Sequence, residues 1–442
     1  MTDQKKNVVI LGAGLAGSLL SIMLRKRGFQ VEVFEKRQDP RVADLEEGRS
    51  INLALSLRGI EALKFADAYD GLEDVLIPMK GRMMHDESQN LTIQPYGKKG
   101  QHINSVSRLG LNRKLISQAE KSGVRFHFDS KVHDVDLDAT RISAVSDGKE
   151  QHYAAEVIIG ADGAFSILRS RMQVTNRFNY SQHFIEHGYK ELEMPALDGD
   201  FAMEPNYLHI WPRGNYMLIA LPNPNKTFTC TLFFPFEGQK SFENIRSNEE
   251  IAELFTSNFP DAARLIPDHI SQYQDNPTSS LVTIRCFPWN YKNCMVLGDA
   301  AHAIVPFYGQ GMNAAFEDCR LLIEKGDKEG YHWPALFENY AIARKPDADA
   351  IAELALRNFV EMRDSVADEE FLERKKVDSA MHDCYGDHWI PLYTQVSFSH
   401  IPYSEARQNG LRQEKALTEA QREGRLHDHK YILELFEKQG KQ

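Results

Sequence analysis

The sequence has few cysteines, no metal-binding motif and no long apolar segment. Its five cysteines are odd in number, scattered, and form no Cys-x-x-Cys pair: Cys230, Cys286, Cys294, Cys319 and Cys384. This usage disfavours a disulfide framework and a zinc site, and no other group of His, Cys, Asp or Glu has metal-ligand spacing. No run of residues approaches the roughly 18 apolar residues that a membrane span needs. We therefore predict no bound metal, no membrane anchor and a cytoplasmic location.

Basic residues are outnumbered by acidic ones. The 442 residues include 52 Lys and Arg against 63 Asp and Glu, a formal net charge of −11. A chain with this excess of negative charge is a poor ligand for phosphate backbones, so we expect no nucleic-acid partner. A hydrophobic content of 42% with 26% charged residues is typical of a globular protein and excludes disorder as a description of the whole chain.

The N-terminal region has the pattern of a unit that binds a dinucleotide. Its predicted parts are a strand, a glycine-rich turn, a helix and a second strand: Asn7–Leu11, Gly12–Gly17, Ser18–Arg27 and Gln30–Phe34. Gly12 allows the tight bend, Gly14 lets the backbone approach a pyrophosphate, and Gly17 lets the helix pack closely on the strand. Glu35, which follows the second strand, is placed to accept hydrogen bonds from a ribose. Because its carboxylate would repel a 2′-phosphate, we predict the adenosine half of FAD or NAD rather than NADP.

Two further acidic residues each follow a predicted strand. Asp162 follows Glu156–Gly160, and Asp299 follows Cys294–Leu297. A carboxylate at the carboxyl end of a parallel strand points into the ligand crevice of such a sheet. Each motif alone is equally compatible with an acidic residue in an ordinary turn.

A glycine-containing segment then opens a helix predicted over Asn313–Glu324. Gly309 and Gly311 let the backbone approach a flat ring. The unpaired N–H groups and positive potential of the helix N-terminus suit a ring with negative charge at one edge. The alternative interpretation is that the glycines only shape the turn before the helix and contact no ligand.

In this order and spacing, the Gly12–Gly17 turn and the motifs that contain Asp162 and Asp299 resemble those of the single-component flavoprotein aromatic hydroxylases, which have the para-hydroxybenzoate-hydroxylase-like fold. Further segments are similar to the kynurenine 3-monooxygenases within that group, in their soluble bacterial form: Gly81–His85, Gln94–Gly97, Ser105–Arg108, Val305–Asn313, Arg357–Phe359 and Pro391–Tyr393. The similarity extends over nearly the whole chain. It implies a bound FAD, with NADPH as a transient co-substrate and O₂ as the oxidant.

The predicted fold class is α/β: a Rossmann-like FAD-binding domain that is interrupted by a mostly antiparallel β substrate domain and followed by C-terminal helices. The antiparallel part is predicted from strand patterns separated by Pro and Gly between about Arg177 and Phe287. The predicted boundaries are 1–78 for the first FAD-binding part, 79–100 for a substrate-domain hairpin, 101–176 for the second FAD-binding part, 177–287 for the antiparallel domain, 288–345 for the third FAD-binding part, and 346–442 for the C-terminal helices.

The resemblance also implies which residues hold the ligands. The residues matching Arg82 and Tyr96 hold the carboxylate of the substrate, completed by those matching Asn358 and Tyr393. The predicted substrate-binding set is Arg82, Tyr96, Phe307, Asn358 and Tyr393. The predicted cofactor-binding set is Gly12, Ala13, Gly14, Gly17, Glu35, Lys36, Arg108, Asp162, Asp299, Pro306, Gly309, Gly311, Met312 and Asn313. No catalytic residue beyond the flavin is predicted, because an aniline nitrogen already activates the ring.

The residue patterns themselves support part of this assignment. A hairpin centred on Ser88 pairs Arg82 with Gln94 and puts Tyr96 on the same face as Arg82. A planar guanidinium matches two carboxylate oxygens, although a solvated strand face is the alternative for Arg82. Asn358 interrupts an apolar helical stripe formed by Ile351, Leu354, Ala355 and Met362. A buried amide there needs a partner, which a ligand, a water or a backbone group could supply.

The resemblance implies hydroxylation of L-kynurenine to 3-hydroxy-L-kynurenine through a flavin hydroperoxide, in tryptophan degradation or in NAD biosynthesis through quinolinate. The alternative is a hydroxylase of the same fold that acts on another aromatic acid. A flavin-dependent halogenase needs a Trp-x-Trp segment, whereas the four tryptophans here are isolated. A flavin-binding redox sensor without turnover is a third possibility. Oligomeric state, the NADPH docking surface and the roles of His85, His302 and Tyr308 are not assigned from the sequence.

Overall fold

The computed structural model describes residues 7–43, 52–98, 100–362 and 369–440. It consists of a part built on a six-stranded sheet, a part built on a seven-stranded sheet, and C-terminal helices. This is the fold class predicted from the sequence. The predicted outer limits of the first and last domains, residues 1 and 442, lie outside the described residues, and the internal boundaries stay predictions.

The six-stranded sheet carries the dinucleotide-binding pattern. In spatial order its strands are β18 (Asn290–Tyr291), β19 (Cys294–Val296), β12 (Val157–Gly160), β1 (Asn7–Leu11), β2 (Gln30–Phe34) and β8 (Arg125–His127). All neighbours are parallel except β18 and β19. The strands are apolar along most of their length because a parallel sheet is covered on both faces. The carboxyl ends of β1, β12 and β19 lie side by side, which brings the three predicted motifs to one edge.

The seven-stranded sheet joins a hairpin to strands from much later in the chain. Its order is β17 (Ser279–Phe287), β13 (Asn179–Met194), β16 (Phe228–Pro235), β15 (Met217–Pro222), β14 (Tyr207–Pro212), β5 (Gly81–His85) and β6 (Leu91–Pro95). Only β14 and β5 are parallel. The predicted hairpin is confirmed, with Arg82 opposite Gln94. Strand β13 was not predicted, because its first half is largely exposed and its pairing with β17 shifts register between Phe184 and Gly188.

Two smaller antiparallel sheets complete the strand structure. Their orders are β3 (Asn52–Leu55), β7 (Ile103–Ser107) and β4 (Leu76–Met79) in one, and β11 (Lys149–Ala154), β10 (Arg141–Ser146) and β9 (Lys131–Asp136) in the other. Strand β7 was not predicted, because its buried serines and asparagine give it no apolar–polar alternation although all five residues are buried.

The helices of the described residues cover both sheets and form the C-terminal part. They are α1 (Leu15–Lys26), α2 (Leu57–Phe65), α3 (Arg108–Lys121), α4 (Ile167–Met172), α5 (Asn248–Asn258), α6 (Pro260–Leu265), α7 (His269–Asp275), α8 (Asp299–His302), α9 (Gly311–Glu329), α10 (Trp333–Val360), α11 (Glu369–Tyr385), α12 (Leu392–Ser397), α13 (Tyr403–Arg422) and α14 (His429–Gln439). Helix α10 runs through Pro346, so the predicted boundary at residue 345 falls inside one helix. Within the described ranges, none of these helices is both long and apolar enough to cross a membrane.

Four buried charged side chains connect α2, α9 and α10. Arg58 Nη1 and Arg344 Nη2 each lie 2.7 Å from a different carboxylate oxygen of Glu317, and Arg344 Nε lies 2.8 Å from Asp318 Oδ1. His302 Nε2 lies 2.5 Å from the second oxygen of Asp318. The four charged side chains are at most 4% exposed. Removing one of them would leave an uncompensated buried charge, which costs about 3–5 kcal/mol.

A second buried polar cluster connects strand β5 to helix α6. His85 Nδ1 lies 2.6 Å from Asp261 Oδ2, and His85 Nε2 lies 2.9 Å from His209 Nδ1. His209 Nε2 lies 2.8 Å from the carbonyl oxygen of Glu204. The indole N–H of Trp211 donates to both oxygens of Asp261 at 2.9 Å. His85 therefore serves the packing of the hairpin strand and is not part of the cavity described below.

We expect His209 to make the stability of the fold dependent on pH. Burial lowers the pKa of His209 to about 4, against the opposing effects of the Glu204 carbonyl and Asp261. Between pH 6.5 and 4 the unfolded chain then binds a proton that the folded chain does not. The free energy of unfolding therefore decreases as the pH is lowered through this window. This titration lowers the free energy of unfolding by about 3 kcal/mol near pH 4, and it has no effect on stability above pH 6.5.

Denaturant unfolding of the wild type and of His209→Asn at a series of pH values checks this. The variant should be less stable at neutral pH but show a flatter pH dependence below pH 6.5. Tyr216→Phe is the control, because it removes a partly buried hydrogen bond of this domain, from Tyr216 to Asn258 Oδ1 at 2.6 Å, and leaves the imidazole in place. A His209→Asn curve parallel to that of the wild type would contradict the prediction.

Candidate functional site

A cavity of about 930 Å³ extends from the glycine-rich turn after β1 to the seven-stranded sheet. Most of the predicted site residues line it: Gly12, Gly14, Glu35, Lys36, Arg82, Tyr96, Arg108, Asp162, Asp299, Pro306, Phe307, Gly309, Gly311, Met312 and Tyr393. Ala13, Gly17, Asn313 and Asn358 are described but lie outside its lining. The structure therefore brings residues from the whole length of the chain to one cavity.

The backbone of the glycine-rich turn packs so closely on its neighbours that two of its glycines leave no room for a side chain. Gly12 has φ +97°, and a Cβ there would lie 2.6 Å from the carbonyl oxygen of Ala161. A Cβ on Gly17 would lie 2.1 Å from the carbonyl oxygen of Gly12. A Cβ on Gly14, by contrast, would have no atom of the described residues within 4 Å. Two glycines are thus required by packing, and the third leaves the backbone at the start of α1 open to a ligand.

Glu35 is a buried carboxylate at the end of the adjacent strand. Its Oε2 accepts the backbone N–H of Ala13 at 3.0 Å, and its Oε1 accepts the backbone N–H and Nε–H of Arg37 at 3.0 and 2.9 Å. Burial by itself raises the pKa of Glu35, but the hydrogen bonds and charge of Arg37 hold the pKa below its ordinary value. Glu35 is therefore ionised, and it fixes the position of Ala13 while it lines the cavity.

Asp162 and Asp299 lie at the ends of β12 and β19, as predicted. Asp162 Oδ2 accepts the backbone N–H of Ile167 at 2.7 Å, whereas its Oδ1 is buried and has no partner among the described residues. Burial raises the pKa of Asp162, although hydrogen bonds from Ser166 and Ile167 oppose this. Asp299 begins α8 directly after Gly298, which has φ +60°. A buried oxygen without a partner in the wall of a cavity is a feature that a ligand hydroxyl would satisfy.

The segment before α9 presents backbone to the cavity. Gly309 has a left-handed backbone with φ +67°, and Gly311 begins the 19-residue helix α9. Asn313 holds this segment in place, because its Nδ2 donates to the carbonyl oxygens of Ala54 and Gly309 at 2.8 Å and its Oδ1 accepts from Ser56 N at 2.9 Å. Asn313 thus supports the cavity wall from outside the lining.

At the other end of the cavity, one guanidinium lies among three tyrosines. Arg82 Cζ lies 5.0 Å from the ring centroid of Tyr393 and 5.8 Å from that of Tyr96. The rings of Tyr96 and Tyr393 stack with centroids 5.4 Å apart, and Tyr308 stacks on Tyr393 at 5.5 Å. Arg82 Nε is buried and has no hydrogen-bond partner among the described residues.

Burial raises the pKa of all three tyrosines above the ordinary value, and Arg82 opposes this only in part. The phenols therefore stay neutral at physiological pH and keep their O–H donors. One permanent positive charge with neutral donors beside it is suited to binding a carboxylate.

Between the two ends the cavity wall is mainly apolar. The residues involved come from strands and from the segment before α9: Met79, Ile103, Leu208, Met217, Ile219, Leu221, Phe233, Leu281, Val305 and Phe307. Phe307 stacks on Phe359 at 4.2 Å and lies 4.9 Å from Phe233. Thr231 adds a hydroxyl to this wall. Such a wall accommodates an aromatic ring and excludes water.

The wall residues of the seven-stranded sheet were missed by the sequence analysis. Met217, Ile219 and Leu221 recur with a period of two, as do Thr231 and Phe233 on the neighbouring strand. This alternation assigns them to one face of the sheet. It did not indicate which face meets the cavity, because β15 and β16 are buried on both sides.

Asn358 is buried on α10, as its position in the apolar stripe predicted. Its Nδ2 donates to the carbonyl oxygen of Phe307 at 2.6 Å. Of the partners that the sequence left open, the structure shows a backbone group. Asn358 thus holds the Phe307 segment, and it contributes to the cavity through that residue.

The residues around the cavity fit FAD. Gly14 leaves room for a pyrophosphate at the start of α1, and Asp162, next to the glycine-rich turn, offers an oxygen without a partner among the described residues. Gly309 and Gly311 provide backbone for the edge of a flat ring. Glu35 lies where a ribose is expected.

Comparison with known proteins agrees with this geometry. A family described as an FAD binding domain matches residues 5–355. The kynurenine 3-monooxygenase of Christiangramia forsetii is 49% identical over 94% of both chains, and that of Flavobacterium johnsoniae is 48% identical over 92% of this chain and 93% of its own. A crystal structure of 2-methyl-3-hydroxypyridine-5-carboxylic acid oxygenase shares the fold, with a TM-score of 0.69 and 18% identity over 91% of this chain and 98% of that one. The chain belongs to the kynurenine 3-monooxygenase family, within the flavoproteins that carry this FAD-binding domain.

Proposed function

We propose that the protein is an FAD-dependent monooxygenase that uses NADPH and O₂ to convert L-kynurenine to 3-hydroxy-L-kynurenine. The observation that carries the proposal is the division of one cavity between a dinucleotide-type turn and the buried guanidinium of Arg82, whose Nε has no partner in the part of the chain that the structure describes. The step is balanced, since one oxygen atom enters the ring while the other leaves as water with the two electrons of NADPH. FAD, when bound, supplies the redox and oxygen chemistry.

The residues of the chain bind and orient the cofactor and the substrate. We assign the phosphates to the Gly12–Gly17 turn, the ribose hydroxyls to Glu35, the middle of the cofactor to Asp162, Asp299 and Arg108, and the flavin ring to the Pro306–Asn313 segment. Lys36, next to Glu35, and Met312, within the Pro306–Asn313 segment, also line the cavity. Ala13, Gly17 and Asn313 act through the backbone that they position.

The substrate is oriented by its carboxylate. We assign the carboxylate to Arg82, Tyr96 and Tyr393, which places the aminobenzoyl ring against Phe307 and the apolar wall. Asn358 supports the site by holding Phe307. The wall excludes water from the reacting ring, and the ring amine makes a dedicated general base unnecessary.

We also propose that the protein acts in the cytoplasm and binds no nucleic acid. The five cysteines have free thiols, and four of them are buried, which suits a reducing compartment. The negative net charge of −11 disfavours phosphate backbones.

We expect L-kynurenine to stimulate NADPH oxidation. The purified protein with FAD should oxidise NADPH slowly alone and much faster with L-kynurenine, and mass spectrometry should show a product heavier by one oxygen atom. Stimulated oxidation that yields only hydrogen peroxide would contradict the assignment of kynurenine as substrate. Stimulation by another aromatic acid alone would support the alternative hydroxylase.

We expect replacement of Arg82 to weaken substrate binding. Arg82→Ala should lower kcat/KM for L-kynurenine about 30- to 1,000-fold, because a buried charge loses its partner at a cost of about 2–4 kcal/mol. The loss should appear mainly in KM. Kynuramine, which lacks the carboxylate, should be turned over equally poorly by the wild type and the variant.

The control for Arg82→Ala is Arg264→Ala, which removes an exposed guanidinium from the same domain, where Nη2 contacts Gln89 Oε1 at 2.9 Å. It should leave kcat/KM unchanged. A wild-type preference for kynurenine over kynuramine that persists in Arg82→Ala would remove Arg82 from the carboxylate site.

A further inference from the structure

Gln310 lies in the segment assigned to the flavin ring, but its side chain is directed away from the cavity. The residue falls between Gly309 and Gly311, both of which line the cavity, whereas Gln310 does not and is 1% exposed. Its Oε1 accepts a hydrogen bond from the hydroxyl of Tyr403 at 2.9 Å. Its Nε2 lies 3.4 Å from Ser56 Oγ and 3.5 Å from Ser397 Oγ.

Tyr403 belongs to a different part of the chain. It begins α13, which lies beyond residue 355, the end of the match to the FAD binding domain. The residue is fully buried, and burial raises the pKa of its hydroxyl above the ordinary value, so the hydroxyl remains a donor.

The ring of Tyr403 is held by the buried charge network. Arg58 Cζ lies 4.0 Å from the ring centroid, and Arg344 Cζ lies 5.5 Å from it. Both guanidiniums bind Glu317 on α9, the helix that begins at Gly311. Arg58 also donates to the carbonyl oxygens of Val396, at 3.0 Å, and Ile401, which belong to the C-terminal region. The tyrosine therefore has little freedom to move relative to α9.

We infer that Tyr403 is a positioning residue through which the C-terminal helices set the backbone of the flavin segment. The hydrogen bond to Gln310 restrains the peptide groups that join this residue to Gly309 and Gly311, both of which line the cavity. The C-terminal region thus takes part in cofactor binding without touching the cavity. This inference rests on the proposed placement of the flavin ring at Pro306–Asn313 and does not depend on the substrate.

The test measures FAD binding rather than turnover. FAD is removed, and the dissociation constant for its return is measured by flavin fluorescence, together with the midpoint potential of the bound flavin. Tyr403→Phe should raise the dissociation constant about fivefold to tenfold, the effect of one buried hydrogen bond, and should shift the midpoint potential. Tyr216→Phe is the matched control, because it removes a buried tyrosine hydroxyl that donates to an amide oxygen at 2.6 Å in the other domain.

Gln310→Asn provides a second route to the same contact, because it withdraws the amide from Tyr403 and leaves the tyrosine packing intact. The two substitutions should be strongly non-additive in the dissociation constant, since each removes the same hydrogen bond. The inference is overturned if Tyr403→Phe and Tyr216→Phe change FAD binding and potential alike, or if the effects of Tyr403→Phe and Gln310→Asn simply add. Failure of kynurenine to stimulate NADPH oxidation would overturn the proposed substrate and leave these results standing.

Discussion

The buried pairing of Arg58 and Arg344 with Glu317 and Asp318 is the interaction on which the rest of the site depends. Burying four charges brings little stability relative to apolar packing, because each must first be removed from water. It does make the arrangement specific, since a shift of α9 along α10 would leave at least one buried charge without its partner. The start of α9, and with it the wall at Gly311, is thereby set relative to α2 and to the C-terminal helices.

The cavity is chemically different at its two ends, and this difference follows from which backbone or side-chain groups each sheet can supply. The parallel sheet ends in glycines and carboxylates, which offer N–H groups and acceptors for a polyhydroxylated phosphate ligand. The antiparallel sheet offers mainly apolar side chains, and its polar groups in the lining are Arg82 and the hydroxyls of Tyr189, Thr231 and Ser280. A ligand with one anionic end and one aromatic end can therefore be held in only one orientation against that sheet.

Much of the fold and of the cofactor end could be predicted from the sequence, because local rules decide them. Gly12, Gly17 and Glu35 occupy positions where geometry permits little else, and the hairpin register follows from the turn. The substrate end of the cavity was harder to predict from the sequence. Arg82 and Tyr393 are far apart in sequence, and only the resemblance connected them. Strand β13 and the hydrogen bond of Asn358 to Phe307 depend on partners far away in the chain, which no local pattern reveals.

The order of strands has a consequence for synthesis of the protein. In the two main sheets Leu208 pairs with Arg82, and Cys294 pairs with Ile158. The six-stranded sheet cannot be completed on the ribosome until β19 has emerged, and the seven-stranded sheet cannot be completed until β17 has emerged. Such non-local pairing is slow. One edge of β12 has no neighbour until β19 emerges, and the hairpin that carries Arg82 has no neighbouring strand until β14 emerges. A chain truncated before residue 294 would lack both the third acidic motif and the strand that carries it, so the cofactor cavity is among the last features to form.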